Sequence, residues 1–255
     1  MVKLLVYSGD RGNQLFGYAF TRLLAHKLSA AFSMPRLPPP GWPPLVEWFP
    51  NLVFSGDGET LNGSPIIVDD FRGHALKQSF ETIVRQCRGK AVHVIGYFER
   101  SDCFYPDREL IRSWLAKPDR HIEQIAIHVR GQGNKHITPA VAYYHEALKG
   151  FPDLPKVLYT DDPKFSLVDT LVKTTGCRVS TSSAKDSFFE IMNSAVIVST
   201  LSTFCWWAAF LSDASVVQPE PVSGYRSRED AERYLGVPGW KLIPVPTLSA
   251  PGVQN

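Results

Sequence analysis

Residues 195–211, AVIVSTLSTFCWWAAFL, decide how this chain is read. The run ending at Ser199 has the unbroken apolar pattern of a strand buried on both faces. Thr203 to Leu211 is apolar all round, which is the signature of a helix enclosed by protein. Between them stand Ser199, Thr200, Ser202 and Thr203. A helix N-terminus carries unfilled backbone N–H groups and the positive end of the helix dipole, so hydroxyls there suit capping or phosphate binding.

The same strand, turn and helix alternation extends outward from this stretch. Upstream the pattern predicts strand 122–129, helix 139–149 opened by Pro139, strand 156–160, helix 163–174 and strand 177–180. Helix 187–194, begun by a Ser187-x-x-Glu190 capping box, then precedes the quoted segment. Downstream, SVVQP at 215–219 reads as another strand and Ser227–Leu235 as a helix, followed by a proline-bearing tail. Such βα alternation gives a parallel, doubly wound sheet.

The first half begins with a strand, VKLLVY, that runs into SGDRGNQLFGYAFTRLLAHKL, a glycine turn and an amphipathic helix reaching about Ala30. Gly9 and Gly12 permit close approach of backbone to a ligand. Met34–Pro50 holds seven of the twenty prolines and cannot be helical. Its Trp42, Trp48 and Phe49 suit a rigid loop packed on the core or an aromatic face for a sugar. PIIVDDF, a helix near 76–88, the strand VHVIGYF and a helix at 107–116 complete this half. The Lys117-Pro118-Asp119 stretch marks a boundary, giving domains 1–118 and 119–255.

Composition narrows the function. The chain has 255 residues, 44% hydrophobic and 20% charged, which suits a globular protein with a sizeable core. Net charge is +2, and neither half carries the basic excess of a polyanion-binding surface. Cys87, Cys103, Cys177 and Cys205 show no metal-ligand spacing and read as reduced, buried thiols. No signal peptide or membrane-spanning run is visible, and neither GxxxxGK nor GxGxxG occurs.

Chemistry-bearing residues fall at the predicted strand ends. IAIHVRGQGN delivers His128 and Arg130 to a glycine-bearing loop, and a fixed cation at a strand's carboxyl end suits a phosphate or carboxylate. Asp161-Asp162-Pro163 suits a helix cap, or a carboxylate accepting paired N–H groups of a base.

Taken in order, Gly12-Asn13-Gln14 with Tyr18-Ala19, Gly96-Tyr97-Phe98, His128-Val129-Arg130, Tyr143-Tyr144, Thr160-Asp161-Asp162 and Ser202-Thr203-Phe204-Cys205-Trp206-Trp207 resemble motifs of the α-1,2-fucosyltransferases. More distantly they resemble those of the core and protein O-fucosyltransferases. The family's HxRRGD motif is altered, because its second arginine and its acid are replaced by Gly131-Gln132.

The resemblance implies a GT-B-like α/β fold, two Rossmann-like halves facing across a cleft, and inverting transfer of L-fucose from GDP-β-L-fucose to a glycan hydroxyl. Galactose and an α-1,2 linkage are the implied acceptor and product. It assigns the donor to Gly12, Asn13, Gln14, His128, Arg130, Asp161, Asp162, Ser202, Thr203 and Phe204, with Arg130 on the β-phosphate. Tyr97, Glu99 and Trp42 are the acceptor-side candidates. With the family acid absent, the proton acceptor is open among His136, Asp10, Asp70 and Glu99, and a loose, dissociative transition state that needs no strong base is the equal alternative. No metal, no separate cofactor, no nucleic-acid partner and a cytoplasmic or membrane-peripheral enzyme of bacterial or viral type are expected, an excised catalytic domain being the alternative. The alternatives are another nucleotide-deoxysugar donor, a protein hydroxyl acceptor, or an inactive carbohydrate-binding relative.

Overall fold

The computed structural model describes residues 1–6, 9–58, 63–70, 78–131, 138–151, 153–220 and 236–244. His136, the predicted helix at Ser227–Leu235 and the terminal proline-bearing tail lie outside the described residues. The chain divides into two compact α/β units, Met1–Ala116 and Lys117–Asn255.

In the first unit, β1 (Val2–Val6) leads through α1 (Arg11–Lys27) to β2 (Phe32–Ser33), β3 (Ser55–Gly56) and β4 (Ile66–Asp69). Next come α2 (Phe80–Cys87), β5 (Val92–Ile95), α3 (Ser101–Phe104) and α4 (Arg108–Trp114). The sheet order is β3-β2-β1-β5-β4, parallel except for β2 with β3. Helix α1 buries Leu15, Phe16, Tyr18, Ala19, Phe20, Leu23 and Leu24, more of its circumference than an amphipathic surface helix does.

The sequence pattern of this unit needs two corrections. The strand written VHVIGYF stops at Ile95, because Gly96 takes a φ of 135° and Phe98 a φ of 55°, neither of which is extended backbone. The short β2 and β3 escape the pattern, since two-residue strands carry no periodicity.

In the second unit, β6 (Ile122–Val129), α5 (Val141–Leu148), β7 (Lys156–Thr160), α6 (Ser166–Thr175) and β8 (Arg178–Val179) run in one direction across the sheet. The chain then crosses back by α7 (Ala184–Met192) to β9 (Ser194–Val198), and continues through α8 (Thr203–Leu211), β10 (Ser215–Pro219) and β11 (Lys241–Ile243). The all-parallel order β11-β10-β9-β6-β7-β8 is the doubly wound order of dinucleotide-binding sheets. Alternate residues of the strands face two different helix layers. Ile125, Ile127, Val129, Leu158, Val196, Val198 and Val217 pack with Tyr143, Tyr144, Val168 and Leu171 of α5 and α6. The opposite register of β6 turns His128 toward α8, where it meets Phe204.

Helix starts differ from the sequence reading: α5 begins at Val141 and α6 at Ser166, each two to three residues later than expected. Helix α7 begins at Ala184, where the Ser183 hydroxyl accepts the Asp186 N–H at 3.2 Å. The Ser183-x-x-Asp186 pair outcompetes Ser187-x-x-Glu190, and Glu190 is engaged by the hydroxyls of Tyr159 and Ser182. All four cysteines are free and buried. Among the described residues no helix is long and apolar enough to cross a membrane.

Candidate functional site

The winding direction of the second unit reverses between β6 and β9, and open α/β sheets bind ligands outside the carboxyl ends of the strands at such a point. Strand β6 brings His128, Arg130 and Gly131 there, β9 brings Ser199 to Ser202, and the neighbouring β7 brings Asp161 and Asp162.

His128 is buried, with Nδ1 2.9 Å from Thr200 Oγ1 and its ring stacked on Phe204 at a centroid distance of 5.7 Å. Burial pushes its pKa down to about 4, against the opposing pull of Asp161, so the ring is neutral near pH 7. Its geometry therefore ties β6 to the loop before α8. Arg130 Nε lies 3.3 Å from Asp161 Oδ2, while Asp161 Oδ1 accepts the Gly131 N–H at 2.7 Å. The two charged side chains keep 29% and 32% exposure, so the pair contributes about 1 kcal/mol at most and chiefly orients the guanidinium.

Backbone restraints hold these loops in place. A Cβ on Gly131 would stand 2.5 Å from Asp162 Cβ, so only glycine fits beside the β7 turn. Thr138 Oγ1 donates to the Arg130 carbonyl at 2.7 Å, Tyr143 OH to the Ser199 carbonyl at 2.7 Å and Tyr144 OH to the His128 carbonyl at 3.4 Å. Asp162 accepts the Lys164 N–H at 3.1 Å and shapes the turn into α6, whose N-cap position is Phe165. The doubled aspartate thus splits its duties, one residue on the β6 loop and one on the turn.

At the start of α8, Ser202 occupies the N-cap position without making the capping bond. The residue is 6% exposed, and its Oγ is buried with no hydrogen-bond partner. At the end of β10, Gln218 is 1% exposed and neither amide atom is partnered. A buried polar group left unpaired costs about 1–3 kcal/mol, so two of them at adjacent strand ends are unusual for a purely structural core.

The carboxyl ends in the first unit hold a second polar group. Asn13 Nδ2 donates to Glu99 Oε1 at 3.3 Å, and the Phe98 N–H donates to Asp70 Oδ2 at 2.8 Å. Gly96 allows this approach, since a Cβ there would stand 2.7 Å from Asp70 Cβ. Burial, reinforced by the Asp70 charge, lifts the Glu99 pKa to about 7, and burial lifts that of Asp70 to about 6.

Gln14 is anchored through its amide nitrogen, while its Oε1 is buried without a hydrogen-bond partner. Its Nε2 donates to the Gly9 carbonyl at 2.8 Å and the Pro43 carbonyl at 2.9 Å, stapling the glycine turn to the proline-bearing loop. That loop leaves Trp42 43% exposed, while Trp48 lies under the Arg11 guanidinium at 4.5 Å. Gly12 is buried in the first turn of α1, Asp10 is exposed at its N-cap position, and Tyr97 is partly buried after β5.

Among the predicted residues, His128, Arg130, Asp161, Asp162, Ser202, Thr203 and Phe204 therefore gather at one switch point. Gly12, Asn13, Gln14, Tyr97, Glu99 and Trp42 belong to the first unit. Thr200 belongs to the hydroxyl run legible in the sequence, whereas Thr138 and Gln218 are not picked out there, and Gln218 inside SVVQP carries no signal beyond being polar in an apolar strand.

The fold and its polar switch point define an open, doubly wound α/β protein with a candidate anion-binding site in its second unit. No protein-family model matches the chain, and no curated protein does.

Proposed function

We propose that the protein is an inverting glycosyltransferase of GT-B architecture that moves L-fucose from GDP-β-L-fucose to a hydroxyl of a glycan, galactose by an α-1,2 linkage being the acceptor implied by its motifs. The observation that carries this is the unpartnered Ser202 hydroxyl at the N-terminus of α8, at the end of the strand adjacent to the one that delivers Arg130.

Departure of a nucleoside diphosphate builds negative charge on the β-phosphate, and a prepositioned cation with helix N–H donors lowers that barrier most. Arg130, held by Asp161, supplies the cation. Ser202 and the first turn of α8 supply donors. The acceptor hydroxyl attacks in line, inverting the anomeric carbon, and its proton needs an acceptor. Gly131, standing where the family carries its second arginine, favours as a second reading a different nucleotide-deoxysugar donor on the same site.

A thermal-shift panel with GDP, GDP-fucose, GDP-mannose, UDP and dTDP-rhamnose tests the reading, because a ligand at 100 times its dissociation constant stabilises by about 2.7 kcal/mol. Stabilisation by GDP and GDP-fucose supports it. A response to UDP or dTDP-rhamnose alone transfers the proposal to the second reading, and no response to any of the five overturns both. Arg130→Ala should abolish transfer while the protein stays folded by circular dichroism; unchanged turnover would remove Arg130 from the site.

A further inference from the structure

The mechanism proposed above leaves Gln218 without a task, although it is the most fully buried unpartnered side-chain amide in the second unit among the described residues. Its position follows from strand parity and register. Val217 faces α5 and packs in the same cluster as Tyr143, so the neighbouring Gln218 faces the opposite layer. Val217 pairs with Val198 on β9, and Ile127 on β6 pairs with the same Val198. One residue further along each strand, His128, Ser199 and Gln218 form a row across three adjacent strands. His128 already meets Phe204 on α8, so the row belongs to the layer that supports the switch point.

The chemistry of this row is graded. His128 is satisfied by Thr200, and the Ser199 hydroxyl donates to the Thr200 carbonyl at 3.3 Å. The Gln218 amide has one donor group and one acceptor, and neither is used by the protein. Ser202, also unpartnered, lies on the loop that connects β9 to α8. A carboxylate or phosphate would use only the donor half of an amide. A sugar hydroxyl both gives and takes a hydrogen bond, and so matches the whole group.

Distance along the sheet fixes which end of the ligand is concerned. Strands lie about 4.8 Å apart, so three spacings from β7 to β10 cover roughly 14 Å, comparable with an extended nucleoside diphosphate sugar. With the diphosphate at the β6–β9 switch point and the base on the Asp161 side, the sugar falls on the β10 side.

Resting on the nucleotide-sugar reading above, we infer that Gln218 is a specificity residue whose side-chain amide engages the hydroxyls of the donor sugar. The test compares the full-length protein with Gln218→Met, an apolar substitution of similar length, by calorimetric titration with GDP and with GDP-fucose. The variant should bind GDP within twofold of wild type, bind GDP-fucose at least tenfold more weakly, and melt no lower than wild type without ligand. A merely structural amide predicts the reverse, a lowered melting temperature with GDP-fucose affinity unchanged, and that result overturns the inference. Equal loss for GDP and GDP-fucose overturns the sugar assignment, because the amide would then serve the nucleotide. Wild-type protein that binds neither ligand removes the nucleotide-sugar reading and this inference together, whereas loss of the inference alone shows as normal GDP-fucose binding by the variant. Should Gln218→Met fail to fold, the side-chain amide resonance of Gln218 in wild-type protein decides. It should shift with GDP-fucose and not with GDP, and a resonance indifferent to both overturns the proposal.

Discussion

Glu99, Asp70 and His128 are each shifted by burial, but their effects on stability run in opposite directions. The two carboxyls have folded pKa values raised from 4.5 to about 7 and from 3.8 to about 6. The folded state therefore holds more protons than the unfolded one in those windows, and stability falls as pH rises through them. His128 is lowered from 6.5 to about 4, so its contribution is present above pH 6.5 and is lost as pH falls. The wild-type profile between pH 4 and 7 is thus a partial cancellation. Glu99→Gln separates the terms: the stability of wild type relative to this variant should rise by on the order of 2 kcal/mol as pH falls from 7.5 to 4.5, measured by urea unfolding. A constant difference would mean that Glu99 is ordinarily solvated. At the β6 turn, Gly131→Ala sets a methyl group against Asp162 and should destabilise by about 1–3 kcal/mol while weakening GDP binding. Unchanged binding by this variant would show that the β7 turn is not part of the site.

Among the elements, helix starts and strand ends are where local pattern and structure diverge. Ser183 caps α7 and Ser187 lies inside it, so Ser183→Ala should cost about 1 kcal/mol and Ser187→Ala no more than a few tenths, by thermal or urea denaturation. Equal costs would return the helix start to the position expected from the sequence. The two competing capping pairs are four residues apart, and sequence alone offers no reason to prefer the earlier one. The choice comes from Glu190, which is drawn to Tyr159 on β7 and is not available to reach back along its own helix. Helix α8 is the opposite case. Its nine residues are so uniformly apolar that burial on every side was legible, and Cys205, Trp206, Trp207, Phe210 and Leu211 are all essentially inaccessible. Trp206, stacked on Phe210 at 4.8 Å and touching Trp240 at 6.1 Å, should cost about 3–5 kcal/mol on substitution by alanine.

For the whole molecule, each unit has its own sheet with polar residues at the carboxyl ends, mostly parallel in the first and all-parallel in the second, and only the second has the doubly wound six-strand order. Hydrogen exchange should therefore report GDP first in the second unit, as slowed exchange at Arg130–Gly131 and Ser199–Trp206, with the amino ends of the same strands unaffected. Protection spread evenly along β6 and β9 would indicate general stabilisation without a local site.

The βα alternation, the buried character of α8 and the placement of Arg130, Asp161 and Ser202 at strand ends were legible along the chain, because they follow from periodicity and from residues next to each other. Tertiary structure decided that Asp161 orients Arg130, that His128 is tied to Thr200, that Gln14 staples two loops and that Asp70 sits against Glu99. The partners in these contacts lie between 5 and 72 residues apart along the chain. Most depend on which strand lies beside which, so it is the sheet order that brings their partners together.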